Sequence, residues 1–266
     1  MMIRETAKET NTLVDTQTRR LLQTYAKRYE TASFLEGDPS WFMHQVEGDA
    51  NREATAFVAS CLSFGNRSQF MPKIQGLLDC ADGDMDAWIR NGRFAKKLSC
   101  GCKECFYRFF THGDMNGFLS AYRTMLNGYG TLGEYVKQHS GGDGLAAVRA
   151  ICGRFGSCGS AAVVPKNAQS ACKRVCMFLR WMVRSGSPVD LGLWSDFIDR
   201  RTLVMPLDTH VVHQAMRLGL LSSESASMSA ARRLTATLAQ VFPDDPLRGD
   251  FALFGYGVSH SKTVLS

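Results

Sequence analysis

The spacing of apolar residues along most of the chain is that of amphipathic or buried helices. Few segments alternate apolar and polar residues in the way that a half-buried strand requires. The apolar spacing predicts helices over residues 12–30, 52–64, 69–80, 115–127, 144–154, 171–184, 192–199, 209–218 and 226–241. A short aromatic helix is also predicted within "DPLRGDFALFGYGVSH", near the C-terminus. The pattern therefore predicts an all-α fold.

Composition and charge narrow the class of protein. The chain has 266 residues, 45% of them hydrophobic, which is enough to bury a sizeable core. Its formal net charge of +6 suits a polyanionic partner but does not demand one. No apolar run approaches the roughly 18–20 residues that span a membrane, and the N-terminal segment lacks the apolar core of a signal peptide. We expect a cytoplasmic protein with no membrane partner.

The cysteines raise the question of a metal site. The nine cysteines are expected to be reduced thiols, mostly filling the core. The segment "SCGCKEC" places three thiols close together at Cys100, Cys102 and Cys105. A closed zinc site needs four ligands, and no fourth ligand stands at a diagnostic spacing. Ordinary thiols are favoured, zinc at these cysteines stays open, and we expect no metal or cofactor.

One acidic residue interrupts an apolar segment. In "TLVMPLDTHVVHQAMRLGLL" an apolar run reaches Pro206, and Asp208 then precedes a predicted helix. Aspartate is among the preferred residues for capping a helix N-terminus. Taken alone, Asp208 is a helix cap.

A lysine earlier in the chain gives Asp208 a candidate partner. In "SACKRVCMFLRWMVRSG", Ser170 as N-cap would place Lys173 in the first helical turn. The positive end of the helix dipole disfavours an ammonium group there, which predicts a lowered lysine pKa, as nucleophilic catalysis by an amine needs. Arg180 and Arg184 follow on the same helical face, forming either a nucleic-acid contact or an ordinary solvated face. The chain can bring the helix starts at Lys173 and Asp208 together.

The motifs resemble two known groups of proteins. The segments "SACKR", "FLRWMVR", "MPLDTH" and "DFALFGYG" resemble a bacterial family of uncharacterised proteins of about this length. A lysine, a helical stretch and then Pro-x-Asp, within residues 150–257, resemble the helix-hairpin-helix DNA glycosylase superfamily, nearest to its archaeal 8-oxoguanine branch. The chain departs from that pattern because "VVPKNAQSACK" lacks the hairpin glycines and the C-terminal four-cysteine iron–sulfur motif is absent.

The glycosylase resemblance implies a fold and a reaction. It implies one two-lobed helical domain with a cleft between the lobes, in which residues of about 50–150 form one lobe and residues 1–49 with 151–266 form the other. It implies a monomeric base-excision glycosylase and AP lyase acting on damaged duplex DNA, for an oxidised purine such as 8-oxoguanine. Lys173 would attack the sugar and form a Schiff base, and Asp208 would stabilise the developing positive charge.

The sequence predicts further contacts less strongly, and each of these residues also has an ordinary structural alternative. Predicted DNA contacts are Ser170, Arg174, Arg180, Arg184, Asn66, Arg67, Gln69 and His210. Trp181 and Phe254 are predicted to line the base pocket, although a tryptophan in an amphipathic helix is more often a core residue. The competing function is a non-catalytic DNA- or RNA-binding protein that keeps the glycosylase fold, which the glycine-poor hairpin favours.

Overall fold

The computed structural model describes residues 13–98, 103–157, 163–222 and 224–261. Within these ranges the chain is mainly helical, with one small two-stranded sheet. The prediction of an all-α fold is confirmed. None of the helices in these ranges has both the length and the apolar character that crossing a membrane requires.

The elements follow one another with short connections. The α-helices are α1 (Thr16–Tyr29), α2 (Asp49–Leu62), α3 (Arg67–Cys80), α4 (Met85–Arg90), α5 (Phe94–Leu98), α6 (His112–Tyr129), α7 (Leu132–Ser140), α8 (Gly144–Gly156), α9 (Lys173–Val183), α10 (Thr209–Arg217), α11 (Met228–Ala239) and α12 (Arg248–Ser261). Short 3-10 helices cover Ala32–Leu35, Pro39–His44 and Arg200–Thr202. An antiparallel hairpin joins β1 (Cys105–Tyr107) to β2 (Phe110–Thr111).

The predicted helix over residues 192–199 is wrong, because this segment forms turns. Gly192 has a φ of 68°, in the left-handed region that favours glycine. The turn folds back on the end of α9, where the amides of Leu191 and Trp194 donate to the carbonyls of Trp181 and Met182 at 2.8 and 2.7 Å. These bonds satisfy carbonyls that a helix end leaves unpaired, so tertiary contacts outweigh the local helical spacing.

Most of the α-helices begin at a residue whose side chain accepts a hydrogen bond from a first-turn amide. The capping residues are Asp15, Asn66, Asp84, Thr111, Thr131, Asp143, Asp208 and Ser227. Helix α9 differs, because its N-cap residue Cys172 makes no side-chain capping bond and has a φ of 46°. The start of α9 is therefore held by its packing rather than by a polar cap.

Helix α2 lies at the centre of the core. The ring of Phe57 contacts those of Phe118, Tyr122, Phe155 and Phe178, which come from α6, α8 and α9. Aromatic pairs of this kind combine a large buried area with favourable edge-to-face or tilted contacts. The aromatic cluster fixes α9 against the middle of the molecule.

A buried carboxylate on α2 links two further segments. Glu53 accepts hydrogen bonds from the amides of Leu132 and Gly133, at 2.7 and 3.1 Å, and from Nε1 of Trp194 at 3.0 Å. Burial raises the pKa of Glu53 to about 7, because it outweighs the three hydrogen bonds, which lower this pKa. Glu53 thus ties the start of α7 and the 192–199 turns to the centre of the fold.

The first and last α-helices of the described ranges pack together. Tyr25 and Tyr29 on α1 contact Tyr256 and Phe254 on α12, with ring centroids 6.1 and 5.9 Å apart. Helix α10 also packs on α12. The contact places the segment before residue 49 beside the segment after residue 151, whereas the division into two lobes stays a prediction.

Candidate functional site

The structure brings Lys173 and Asp208 into direct contact. The distance between Lys173 Nζ and Asp208 Oδ2 is 3.1 Å, and the two side chains are 33% and 31% exposed. Lys173 is the first residue of α9, and Asp208 is the N-cap of α10. The prediction that these two helix starts meet is confirmed. The result is a lysine and a carboxylate held together at the surface, within reach of a common ligand.

Asp208 has two tasks at once. Its Oδ1 accepts a hydrogen bond from the Val211 amide at 2.9 Å, while Oδ2 faces Lys173. Burial alone would raise the pKa of Asp208, but the Lys173 charge, the Val211 amide and His210 outweigh it, and the pKa is lowered. The cap therefore holds an ionised carboxylate rigidly against the lysine.

The start of α9 differs from the prediction in one respect. Ser170 is not the N-cap; Cys172 occupies that position, so Lys173 lies at the first helical position rather than the third. Ser170 is exposed and pairs with Ser227 in an isolated bridge. A role for Ser170 at a DNA phosphate stays a prediction.

The basic stripe along α9 is buried beyond its first turn. Arg180 and Arg184 are 3% and 1% exposed, which corrects the prediction that they contact DNA, because a buried guanidinium cannot reach a phosphate. Arg184 donates to Asp245 at 2.8 Å and to Glu30 at 2.5 Å. Asp190 accepts from both arginines. These groups form an ion-pair network inside the fold, which reaches the surface where the partly exposed Arg248 donates to Glu30 at 3.0 Å.

The network extends toward the Lys173 site through Asp250. Arg180 donates to the Asp250 carboxylate, and its guanidinium lies over the Phe251 ring at 4.6 Å. Burial raises the pKa of Asp250, opposed first by Arg180 and then by Lys173. The charges of both Arg180 and Lys173 thus act on the Asp250 carboxylate.

Trp181 is a core residue. Its side chain is 0% exposed, which corrects the prediction that it stacks on an extruded base. Its Nε1 is buried without a hydrogen-bond partner among the described residues. The ordinary role of a tryptophan in an amphipathic helix has prevailed because α9 is packed on nearly all sides.

Arg174 occupies a half-buried position beside the site. Its Nη1 donates to the Cys61 carbonyl at 2.6 Å, and its guanidinium lies 5.0 Å from the ring centroid of Phe64 and 5.8 Å from that of Phe110. The cation therefore links α9 to the end of α2 and to the hairpin. Its predicted contact with DNA stays a prediction.

The turn after α2 is exposed, as its polar sequence suggested. Asn66 caps α3 by accepting from the Ser68 amide at 3.0 Å. Arg67 pairs with Asp38 at 3.2 Å with half of its side chain exposed, and Gln69 is exposed. The structure gives Asn66 and Arg67 local structural partners, and the DNA contacts of all three residues stay predictions.

The β1–β2 hairpin lies next to this turn, and the sequence did not predict it. Its tip is Arg108, with a φ of 52°, followed by Phe109, which is 65% exposed. Tyr107 donates its hydroxyl proton to the Phe64 carbonyl, and Arg108 lies over the Phe64 ring at 5.9 Å. The hairpin is thereby docked on the turn that follows α2, and Phe109 stands out into solvent. The signal was "FYRFF", whose aromatic density favours strand structure.

Close approach explains the glycine beneath the hairpin. Gly65 has a φ of 80°, and a Cβ there would collide with the Arg108 guanidinium and lie 2.9 Å from the Tyr107 hydroxyl. A larger residue would be strained at this φ and would have to displace the Arg108 guanidinium and the Tyr107 hydroxyl. The turn and the hairpin therefore form one surface, which we call the hairpin surface: residues 64–67 together with 107–110.

The remaining predicted positions lie on α10 and α12. His210 is exposed, two residues after Asp208. Phe254 is 36% exposed and packs edge-on against Tyr29 and Phe34, with ring centroids 5.9 and 4.9 Å away. A DNA contact by His210 and a base-pocket role for Phe254 stay predictions.

Two of the three cysteines considered as zinc ligands lie outside the described ranges. Cys100 and Cys102 lie outside them, whereas Cys105 is exposed and its thiol donates to the Arg108 carbonyl at 3.0 Å. Within the described ranges, no group of three or more His, Cys, Asp or Glu residues is arranged to hold a metal ion.

Comparison with known families gives a match that covers more than half of the chain. The model of the family described as "Protein of unknown function (DUF2400)" matches residues 38–259, a range that contains both Lys173 and Asp208. The chain belongs to this family. No curated protein and no solved structure matches it significantly. The expectation of an uncharacterised family of about this length is confirmed.

Proposed function

We propose that this member of the DUF2400 family is a DNA base-excision glycosylase and AP lyase that uses Lys173 as its nucleophile. The observation that carries the proposal is the 3.1 Å contact between Lys173 and Asp208 at two helix starts, with both side chains partly exposed. An amine nucleophile and an ionised carboxylate are the two groups that this reaction requires. The resemblance of residues 150–257 to helix-hairpin-helix glycosylases points to the same chemistry.

The reaction assigns a separate task to each group. Lys173 gives up a proton and attacks the C1′ carbon of the damaged nucleoside, and the bond from C1′ to the base breaks. The departing base takes up a proton. The C1′–O4′ bond of the resulting aminal then breaks and O4′ takes up a proton, which gives an iminium, a protonated Schiff base. Loss of a C2′ proton from this iminium eliminates the 3′ phosphate. Asp208 stabilises positive charge on the sugar and accepts the proton that Lys173 must lose. An oxidised purine such as 8-oxoguanine is the proposed substrate base.

The hairpin surface supports a nucleic-acid partner. Phe109 is an exposed aromatic ring beside Arg108, and Arg67 is half exposed on the neighbouring turn. Rings that stack on bases and cations that contact phosphates are the usual components of a nucleic-acid surface. Arg174, the residue after Lys173, contacts Phe64 and Phe110 of the hairpin surface, so DNA bound to that surface would also lie close to Lys173.

Borohydride trapping tests the proposal directly. The protein is incubated with duplex oligonucleotides carrying 8-oxoguanine, uracil or an abasic site, and sodium borohydride reduces any Schiff base to a stable adduct. We expect an adduct with at least one of these duplexes, and its loss in Lys173→Gln. Lys166→Gln is the matched control, because Lys166 is an exposed lysine on the segment leading to α9. It should keep the adduct.

The second candidate is a non-catalytic binding protein with the same fold. The exposed Phe109 and Arg108 favour it, because they would bind DNA or RNA whether or not Lys173 reacts. Salt-sensitive binding without an adduct on any duplex would favour this candidate and overturn the glycosylase proposal. Absence of both binding and adducts would overturn both.

A further inference from the structure

Two buried thiols lie in contact next to the nucleophile. Cys152 on α8 and Cys172 before α9 have their Sγ atoms 3.9 Å apart, and they are 0% and 3% exposed. Cys172 directly precedes Lys173, and its φ of 46° is unusual for a residue with a side chain. A covalent bond between the two thiols would therefore act on the backbone directly before Lys173.

The surroundings make Cys172 the more acidic of the two thiols. Cys152, Ser170 and Arg174 favour its thiolate, and the pKa of Cys172 is lowered to about 7 although burial opposes this. The Cys152 interaction that lowers the pKa of Cys172 raises that of Cys152, and burial adds to the rise. Burial also raises the pKa of Cys61 and Cys176. The position of Cys172 at a helix start beside an arginine is the kind of electropositive surrounding that favours a thiolate.

We propose that Cys152 and Cys172 form a redox-active dithiol that hydroperoxides oxidise to a disulfide, which changes the position of Lys173. The inference rests on the geometry of the thiol pair and does not require the proposed glycosylase activity. Nothing in the proposed base-excision chemistry uses either thiol.

The oxidation proceeds in two balanced steps. The Cys172 thiolate attacks one oxygen of the hydroperoxide, the O–O bond breaks, and Cys172 becomes a sulfenic acid. The other oxygen leaves and is protonated, which gives an alcohol or water. The Cys152 sulfur then attacks the Cys172 sulfur and forms the S–S bond. The departing hydroxide takes up the Cys152 proton and leaves as water. Two electrons pass from the thiols to the peroxide.

The new bond is expected to disturb the start of α9. A disulfide holds its sulfurs about 2.05 Å apart, so the two Sγ atoms must approach each other by roughly 2 Å. Cys172 is less fixed than Cys152, because Cys152 lies within α8 whereas Cys172 lies outside the regular part of α9. Movement of Cys172 displaces Lys173 from Asp208, so oxidation is expected to open the ion pair reversibly.

Peptide mapping of the full-length protein tests the dithiol without any activity assay. After treatment with hydrogen peroxide and digestion under non-reducing conditions, we expect a peptide cross-linked between Cys152 and Cys172, which dithiothreitol releases. Cys172→Ser should lose the cross-link. Cys152→Ser should stop at the sulfenic acid, which dimedone labels at Cys172. Cys176→Ser is the matched control and should keep the cross-link.

The effect on Lys173 is measured by acetylation of its amine with acetic anhydride. The acetylation of Lys173 relative to Lys166 should rise on oxidation of the wild-type protein and return after reduction, and it should stay constant in Cys152→Ser. Failure of the Cys152–Cys172 cross-link to form in folded protein would overturn the dithiol. A cross-link that leaves the Lys173 ratio unchanged would overturn its action on Lys173. Neither result bears on the borohydride test, which is run with reduced protein.

Discussion

The two ends of α9 carry the same kinds of charge in opposite surroundings. At the start, Lys173 meets Asp208 with about a third of each side chain exposed. At the end, Arg184 contacts Asp190, Asp245 and Glu30 with almost no exposure. One helical face therefore changes from a surface pair to a buried network within three turns.

The difference in exposure distinguishes Lys173, which a ligand can reach, from Arg184, which stabilises the fold. All three guanidinium nitrogens of Arg184 donate to carboxylates, and Asp190 also accepts from Arg180. The Arg184 guanidinium is therefore fully paired within the fold. Lys173 has one carboxylate partner and faces solvent. A buried network costs desolvation and is strongly destabilised when one partner is removed, whereas an exposed pair contributes little to stability.

The largest expected effect comes from breaking the buried network. Arg184→Met should lower the free energy of unfolding by about 3–5 kcal/mol, because it leaves Asp190 and Asp245 as buried charges with fewer partners. Urea denaturation measures the loss. Arg201→Met is the control, because Arg201 pairs with Asp199 at the surface and should change stability by less than about 1 kcal/mol. Equal losses of unfolding free energy in both variants would contradict the expected difference between buried and exposed ion pairs.

The next effect concerns the hairpin surface beside the exposed end of α9. Phe109→Ala should weaken binding to an abasic duplex by about 1–3 kcal/mol, the usual contribution of one stacked base. Titration at fixed salt measures the affinity. Trp41→Ala removes another exposed aromatic residue, 42% exposed and outside the hairpin surface, and should leave affinity unchanged. A uniform loss in both variants would mean that Phe109 has no special role.

Substitutions of Asp208 separate its two tasks. Asp208→Ala removes both the cap on the Val211 amide and the ion pair, and should destabilise the protein by about 1 kcal/mol. Asp208→Asn keeps a capping side chain and removes only the charge, so its loss should be about 0.2–1 kcal/mol. Thermal or urea unfolding compares the two. If Asp208→Asn were the more damaging variant, the pair would be a buried structural contact like the Arg184 network.

The smallest effect is the pH dependence of this pair. The folded-state pKa of Asp208 is lowered, so its contribution to stability is fully present above the unfolded value near 3.8 and is lost as pH falls through the folded value. The stability difference between wild type and Asp208→Asn should therefore be constant near neutral pH and shrink below about pH 4. Paired urea titrations across this range measure it. A difference that grew on acidification would contradict the lowered pKa.

The sequence could predict the Lys173–Asp208 contact because both residues begin helices, where local signals are strong. It could not predict that Arg180 and Arg184 are buried, since all of their carboxylate partners except Asp190 come from distant segments. Glu30, Asp190, Asp245 and Asp250 lie on α1, a loop and the region of α12, and only the folded chain brings them together. A helical pattern defines a face, but the packing decides whether that face is exposed.

Two segments differ from their predicted structure, and the physical reason can be named for each. The strands on either side of Phe109 are two and three residues long, too short for an alternating pattern to be recognised. Residues 192–199 have helical spacing but turn back because their amides bind the carbonyls at the end of α9. Both cases are decided by contacts between segments, which periodicity does not report.

We propose that Lys173 is the nucleophile and that its ion pair with Asp208 serves the reaction as well as the fold. Lys173→Arg tests it most directly, because arginine keeps the positive charge beside Asp208 but cannot form a Schiff base. We expect near wild-type stability and binding to an abasic duplex, with complete loss of the borohydride adduct. An adduct that forms in Lys173→Arg as it does in wild type would contradict the claim.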